Sequence, residues 1–378
     1  MFVPPFCPYK ACANHRKPAD PDWWRKDGFH ATKAFGPVQR YQCLACGRTF
    51  STQTFSTHYY AKRIINYRAL ERRCASSMSV RGLSRDLRCS CGTIQNRLYR
   101  LSLQGIELQS LLRPKADPTE PVCFDGLVSF DRSQYYPNDI GISITMKSRF
   151  VLGLSHATTR RSGTMTPDQR KKMHRLYKRN VFEEQAIERS LSEHLDMILA
   201  ERPQRFDPPF TLITDRKTAY LNAIEYHPLH WGQDETHRMV HERVSSKAPR
   251  TFQNPLFASN YYDREVRKDQ AHHRRETVCF AREPSNGMTR MYVHMVYHNY
   301  EKIYLINWTV DRTETAAEMA GIPRSEVWKG RHTMFTRRAF LSHLDLRDLD
   351  WKIWTRTIYD PIADRKSTRL NSSHGKLS

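Results

Sequence analysis

The chain has 378 residues, enough for about two or three domains and a sizeable core, and carries 61 Lys and Arg against 39 Asp and Glu, a formal net charge of +22. So large an excess of one sign points to a polyanionic partner, nucleic acid first. No long apolar stretch or lipidation signal is present, and Met1-Phe2-Val3-Pro4-Pro5 runs straight into Cys and charged residues, which argues against membrane-spanning and secreted classes. The nine cysteines are odd in number and gathered towards the front, a pattern that suits metal binding in a reducing compartment better than a disulfide framework.

Cys7-Pro8-Tyr9-Lys10-Ala11-Cys12 and Cys43-Leu44-Ala45-Cys46-Gly47 form two thiol pairs. Four thiolates in two knuckles match the tetrahedral, soft-ligand preference of Zn²⁺, so residues 1–52 read as a zinc ribbon whose metal is structural. His15 and His30 are candidate substitute ligands, although histidines in a basic segment are more often solvated. Residues 57–112 read as a three-helix, helix-turn-helix unit. Ile64, Ile65, Tyr67 and Leu70 mark the first helix, Ser79 caps a second with Leu83 and Leu87, and Cys89-Ser90-Cys91-Gly92 turns into a third with Ile94, Leu98 and Leu101 on one face. Gln95, Asn96, Arg97 and Arg100 are expected to face outward, as side chains that read base edges or hold phosphates.

Three prolines make residues 113–121 a linker to a second domain over 122–310. Its first strand holds Asp125 within Pro121-Val122-Cys123-Phe124-Asp125-Gly126-Leu127-Val128, where an unpaired carboxylate costs roughly several kcal/mol. A hairpin follows, with Ile140, Ile142, Ile144 and Met146 alternating and then Phe150, Leu152 and Leu154. The basic run from Arg160 to Arg179 is either a solvated or disordered loop or a grip on backbone phosphates. Ile187, Leu191, Leu195 and Ile198 mark an amphipathic helix, and Phe210-Thr211-Leu212-Ile213-Thr214-Asp215 a buried strand with a carboxylate at its tip. The order strand-strand-strand-helix-strand, with aspartates in the first and fourth strands, is that of a ribonuclease-H-like fold: an α/β class with a mixed sheet and flanking helices. Such aspartates call for a shared cation. Met239-Val240-His241 is a further strand, and His227, His230, His237 and His241 are scattered rather than arranged as ligands.

Taken with Asn260-Tyr261-Tyr262-Asp263-Arg264-Glu265-Val266-Arg267 and Arg274-Arg275-Glu276-Thr277-Val278-Cys279-Phe280, the chain resembles bacterial insertion-sequence transposases of the DDE class that join a zinc ribbon and helix-turn-helix to a ribonuclease-H-like catalytic domain. The resemblance spans about residues 7–300. It implies a third acid on a helix after the last strand with a basic residue a turn later. Asp263 and Arg267 fit that spacing; Glu265 is the alternative, and because it lies about 200° round a helix from Asp263 the two cannot share one site. The resemblance further implies Asp125, Asp215 and Asp263 as ligands of Mg²⁺ or Mn²⁺, cleavage and strand transfer on double-stranded DNA at terminal inverted repeats and target sites, a homo-oligomeric synaptic complex, and a cytoplasmic, nucleoid-associated location. An inactive DNA-binding relic or regulator, and a nuclease or resolvase with the same carboxylates, are the competing readings. Residues 311–363 form a tail with a short helix over Thr313–Pro323. Residues 364–378 resemble a translated sequencing adapter and are expected to lack packed structure and to stand in place of the natural C-terminus.

Overall fold

The computed structural model describes residues 2–201, 209–231, 238–274, 279–304 and 313–362. The adapter-like segment 364–378, His237 and residues 275–278 of the Arg-Arg-Glu run lie outside the described residues. The N-terminal unit is a three-stranded antiparallel sheet of β1 (Trp24–Thr32), β2 (Gly36–Cys43) and β3 (Thr49–Ser51), in that order. It is too small to bury much of itself. Trp23, Tyr41, Phe50 and Phe55 therefore pack with its cysteines and with Phe340 from the far end of the chain.

Three helices follow, α1 (Tyr67–Ala75), α2 (Val80–Asp86) and α3 (Cys91–Leu112). Each starts where a side chain accepts a first-turn N–H: Asn66 from Ala69, Ser79 from Gly82 and Ser90 from Thr93. Cys91 and Gly92, expected in the turn, are thus the opening residues of α3, because Ser90 is its cap. Leu70, Leu83, Ile94 and Leu98 join one core. The later turns of α3 run on as a buried rod, with Gln104, Gly105, Ile106, Leu108 and Gln109 all inside.

Beyond it come β4 (Val122–Phe130), β5 (Pro137–Thr145), β6 (Val151–Leu154), β7 (Ala157–Thr158), α4 (Pro167–Tyr177), α5 (Ala186–Glu201), β8 (Thr211–Asp215), α6 (Thr218–Glu225), α7 (Pro228–Trp231) and β9 (Val240–Val244). The chain then adds α8 (Phe257–Asp269), α9 (Pro284–Tyr300), α10 (Ala316–Met319), α11 (Arg324–Thr336) and α12 (Asp348–Thr355). The strands form one mixed sheet ordered β6-β5-β4-β8-β9, with β7 beside β5. β4, β5 and β6 pair antiparallel, whereas β4–β8 and β8–β9 pair parallel. Every residue of β5 is buried, as befits a strand covered on both faces. On one face Phe124 packs against His194 of α5 and Tyr220 of α6. On the other, the Cys123 thiol donates to the Pro255 carbonyl just ahead of α8 at 3.2 Å.

The free side of β6 would leave buried peptide groups unpaired. Asn299 of α9 closes it, accepting from the Val151 N–H at 3.0 Å and donating to the Val151 carbonyl at 2.8 Å. Gln109 of α3 donates to the Val151 and Leu152 carbonyls at 2.9 and 3.1 Å and accepts from the Tyr300 hydroxyl at 2.7 Å.

The stretch read as a linker is packed, not free. Arg113 is buried between Glu201 of α5 at 2.6 Å and Asp350 of α12 at 2.9 Å, and the Asp117 N–H donates to Ala320 at 2.8 Å. In α11, buried Arg331 bridges Glu71 of α1 at 2.5 Å and Glu301 at 2.9 Å. Removing one partner of such a buried pair strands the other charge, at a cost of about 3–5 kcal/mol. The basic run also departs from a loop, since α4 occupies its centre. Thr166 caps it by accepting from the Gln169 N–H at 3.3 Å while the Gln169 side chain accepts from the Thr166 N–H at 3.1 Å, with Pro167 in the first turn. Among the described residues no helix is long and apolar enough to cross a membrane.

Candidate functional site

Cys7 and Cys12 lie in the coil before β1, Cys43 ends β2 and Cys46 sits in the turn to β3. Their four sulfurs lie within 4.8 Å of one another, with Cys7 Sγ to Cys46 Sγ at 3.8 Å and Cys12 Sγ to Cys43 Sγ at 3.6 Å. A tetrahedral ion with metal–sulfur bonds of about 2.3 Å has ligand edges of about 3.8 Å, so the four thiols could hold a metal ion such as zinc. Gly47 closes the knuckle at φ 69°, its N–H donating to the Cys43 carbonyl at 2.9 Å. Burial pushes the Cys7 and Cys12 thiols up; at Cys43 burial is outweighed by the Cys46 and Ala45 N–H groups, which bring the thiol down to about 7. His15 is not part of this group: its ring nitrogens bond the Cys7 carbonyl at 2.7 Å and the Ser342 hydroxyl at 2.6 Å. His30 is exposed on β1.

Of the four residues expected on the outer face of the third helix, Gln95 and Asn96 are exposed. Arg97 is not. It is buried, reaching back to the Arg63 carbonyl, because it lies three residues after Ile94 and so shares the inward face. Arg100 is half-buried, donating to the Tyr59 carbonyl and stacking over the Tyr59 ring at 4.0 Å, with Arg338 over the same ring at 3.8 Å.

The carboxylates gather at one end of the mixed sheet. Phe124 of β4 pairs with Thr214 of β8, so Asp125 and Asp215 come next on adjacent strands. The Asp125 carboxylate accepts from the Gly126 N–H at 2.7 Å and Asp215 from the Lys217 N–H at 2.9 Å. Asp263 comes from α8, and with Asp125, Arg250, Tyr261 and Arg267 it lines a cavity of about 330 Å³. Burial, then the charge of Asp125, raises Asp263 to about 7 against the pull of Arg267 and Arg250. Burial also raises Asp125 to about 6, Asp215 and Asp139 adding to it while the Gly126 N–H and Lys217 oppose. After burial, the phenol of Tyr220 is held up by the charges of Asp139, Asp125, Asp215 and Asp263 in turn.

Sequence patterns do not single out Asp139. It is buried at the head of β5, where a Cβ on Gly126 would come within 2.1 Å of its Oδ1, and Lys217 Nζ pairs with its Oδ2 at 2.8 Å. Gly126 therefore makes room for the fourth acid, and Lys217 ties two acids together through its backbone and its side chain. Glu265 lies elsewhere. Although burial opposes it, Lys302 and Lys268 hold its carboxyl below the usual range through direct contacts. Arg267 donates to the His273 carbonyl at 2.8 Å while lining the cavity. His227 bonds Asp196 at 3.1 Å and His241 bonds Thr214 at 2.8 Å. Among the described residues the four thiols are the only group of three or more His, Cys, Asp or Glu side chains close enough to hold a metal ion, and the carboxylates do not form a second.

No family model matches the chain, and no curated protein matches it.

Zinc at the thiol group predicts one ion per chain by elemental analysis, its loss in Cys43→Ser, and a red shift of tryptophan emission on chelation as the packing around Trp23 loosens. Unchanged metal content in the variant contradicts this. The carboxylate cluster sets a pH dependence. With pKa values of about 6 and 7 against an ordinary 3.8, Asp125 and Asp263 hold protons in the folded chain that the unfolded chain releases, so their contribution to stability falls as pH rises from about 4 to 7. Without added divalent cation, Asp263→Asn shows a smaller drop in urea midpoint across that window than the wild type.

Proposed function

We propose that the chain is a DDE-class DNA transposase, cleaving and joining DNA strands at the ends of an insertion sequence. The observation that carries this reading is that Asp125 and Asp215 neighbour each other on adjacent strands while Asp125 shares one cavity with Asp263 of α8. The strand order supports a ribonuclease-H-like catalytic part: taken by appearance in the chain, β6-β5-β4-β8-β9 is 3-2-1-4-5, the first three antiparallel and the last two parallel. The net charge of +22 supports a DNA partner, and the thiol group with the capped three-helix unit supports an end-recognising module separate from a site that handles a generic backbone.

The donor set fits a hard divalent cation by its chemistry, since Asp125 and Asp263 are oxygen ligands that burial first, and neighbouring carboxylates second, make costly to ionise without a cation. Asp125, Asp215 and Asp263 would hold Mg²⁺ or Mn²⁺, which when bound supplies charge stabilisation for phosphoryl transfer and acidifies the attacking hydroxyl. The chain's own residues do the positioning. Lys217 fixes Asp215 and Asp139, Gly126 fixes Asp125 by its N–H, and Arg250 and Arg267 line the cavity where a phosphate would enter. The thiol-bound zinc would be structural, holding the ribbon together.

Nicking of supercoiled plasmid with Mg²⁺ or Mn²⁺ tests the reading. Asp125→Asn, Asp215→Asn and Asp263→Asn each reduce nicking by at least about a hundredfold, as expected for loss of a phosphoryl-transfer site, with duplex binding retained; Glu265→Gln leaves nicking intact. Binding without cleavage by the wild type selects the inactive relic or regulator, and hydrolysis without strand joining selects the nuclease or resolvase.

A further inference from the structure

We propose that α4 is a docking surface for the phosphate backbone of double-stranded DNA, built as an insertion at the carboxylate end of the sheet. The inference rests on the DNA-binding part of the reading above and not on its chemistry. β7 pairs with Asn138 and Asp139, so the chain leaves the sheet beside the fourth acid before entering the basic segment. Arg170, Lys171, Lys172, Arg175, Lys178 and Arg179 are all exposed, and α4 has no buried residue. Its one acid is Asp168, in the first turn.

Among the described residues none of the six cations makes an ion pair; the nearest compensation is Lys172 over the Tyr135 ring at 5.5 Å. Lys171 and Arg175 stand four apart within the helix, the spacing at which like charges destabilise it. The sequence nevertheless invests in order here. Besides the Thr166–Gln169 capping box, the Tyr177 hydroxyl donates to the Tyr135 carbonyl and accepts from the Arg161 N–H at 2.8 Å, and Asn180 donates to the Tyr136 hydroxyl at 2.6 Å. The apolar side of the helix, Met173, Leu176 and Tyr177, is spent on Tyr135, Tyr136 and Phe182. A helix whose apolar face is already covered has none left to enter a lipid headgroup layer, whereas its cationic face suits a regular array of phosphates. Over 11 residues it is about 16 Å long, enough to follow several phosphates along a groove edge.

The test is the salt dependence of binding by the full chain to a 30-base-pair duplex of arbitrary sequence, without divalent cation. The variant Lys171→Gln/Lys172→Gln/Arg175→Gln lowers the slope of log K against log salt by about 0.9 for each phosphate no longer neutralised, hence by roughly 2 to 3. Lys171→Arg/Lys172→Arg, which keeps charge and helix, retains the wild-type slope. Equal slopes for the wild type and the glutamine variant, with matching circular dichroism, overturn the docking role of α4 and leave DNA binding through other surfaces standing. A wild type that binds no duplex but binds phosphatidylserine vesicles overturns both.

Discussion

Carboxylates withdrawn from water and set near like charges resist ionising, and at one end of the sheet burial first, then neighbouring acids, raise Asp125 and Asp263, with Asp139 and Asp215 among those neighbours. Much of the surrounding structure makes the crowding tolerable. The Gly126 position leaves space for Asp139, its N–H bonds Asp125, and Lys217 spans Asp139 and Asp215. Arg267 and Arg250 oppose the remaining charge from the cavity side. A protein so rich in cations could have neutralised this patch with direct ion pairs to all four acids. It does so at Glu265, which Lys268 and Lys302 satisfy fully, and leaves Asp125 and Asp263 protonation-prone instead. That contrast sets a paired structural carboxylate apart from the acids that the proposed cation site would use.

The site is mounted on a frame in which few parts are independent. α3 begins at a Ser90 cap in the three-helix unit and ends at Arg113, inside an ion-pair group with Glu201 and Asp350. Gln109 on the same helix and Asn299 on α9 close the edge of β6. Arg331 returns from the C-terminal part to bind Glu71 of α1, and Phe340 completes the small core of the N-terminal sheet. The described part of the C-terminal region, residues 313–362, therefore serves as packing that helps to join the thiol-bearing unit to the rest.

Much of this is legible in the chain itself. The serine cap of α2, the amphipathic period of α5 and the paired thiols all come from local patterns that packing reinforces, and the alternation over 140–146 and 150–154 finds β5 and β6, although both are buried on both faces rather than on one. Asp125 and Asp215 stand out because a charge within an apolar strand is costly without a partner. Asp139 does not, because Asn138-Asp139 ahead of the isoleucines looks like turn residues; only the cross-strand register brings it against Gly126. Arg97 reads as an outward residue by its charge, although its three-residue offset from Ile94 puts it on the inward face. The charge of residues 160–179 hides a capped helix, since charge density speaks for solvation while Thr166 and Gln169 speak for a helix start. Choosing between Asp263 and Glu265 requires knowing where Lys302 lies, which no local pattern encodes.

Anomalous diffraction from crystals soaked in Mn²⁺ tests the carboxylate site most directly, with the zinc edge at the four cysteines as an internal control. The predicted result is a manganese peak bounded by Asp125, Asp215 and Asp263 in the wild type and absent in Asp215→Asn. Saturating Mn²⁺ that leaves no peak there, while the cysteine site shows its metal, would contradict a cation-dependent catalytic centre.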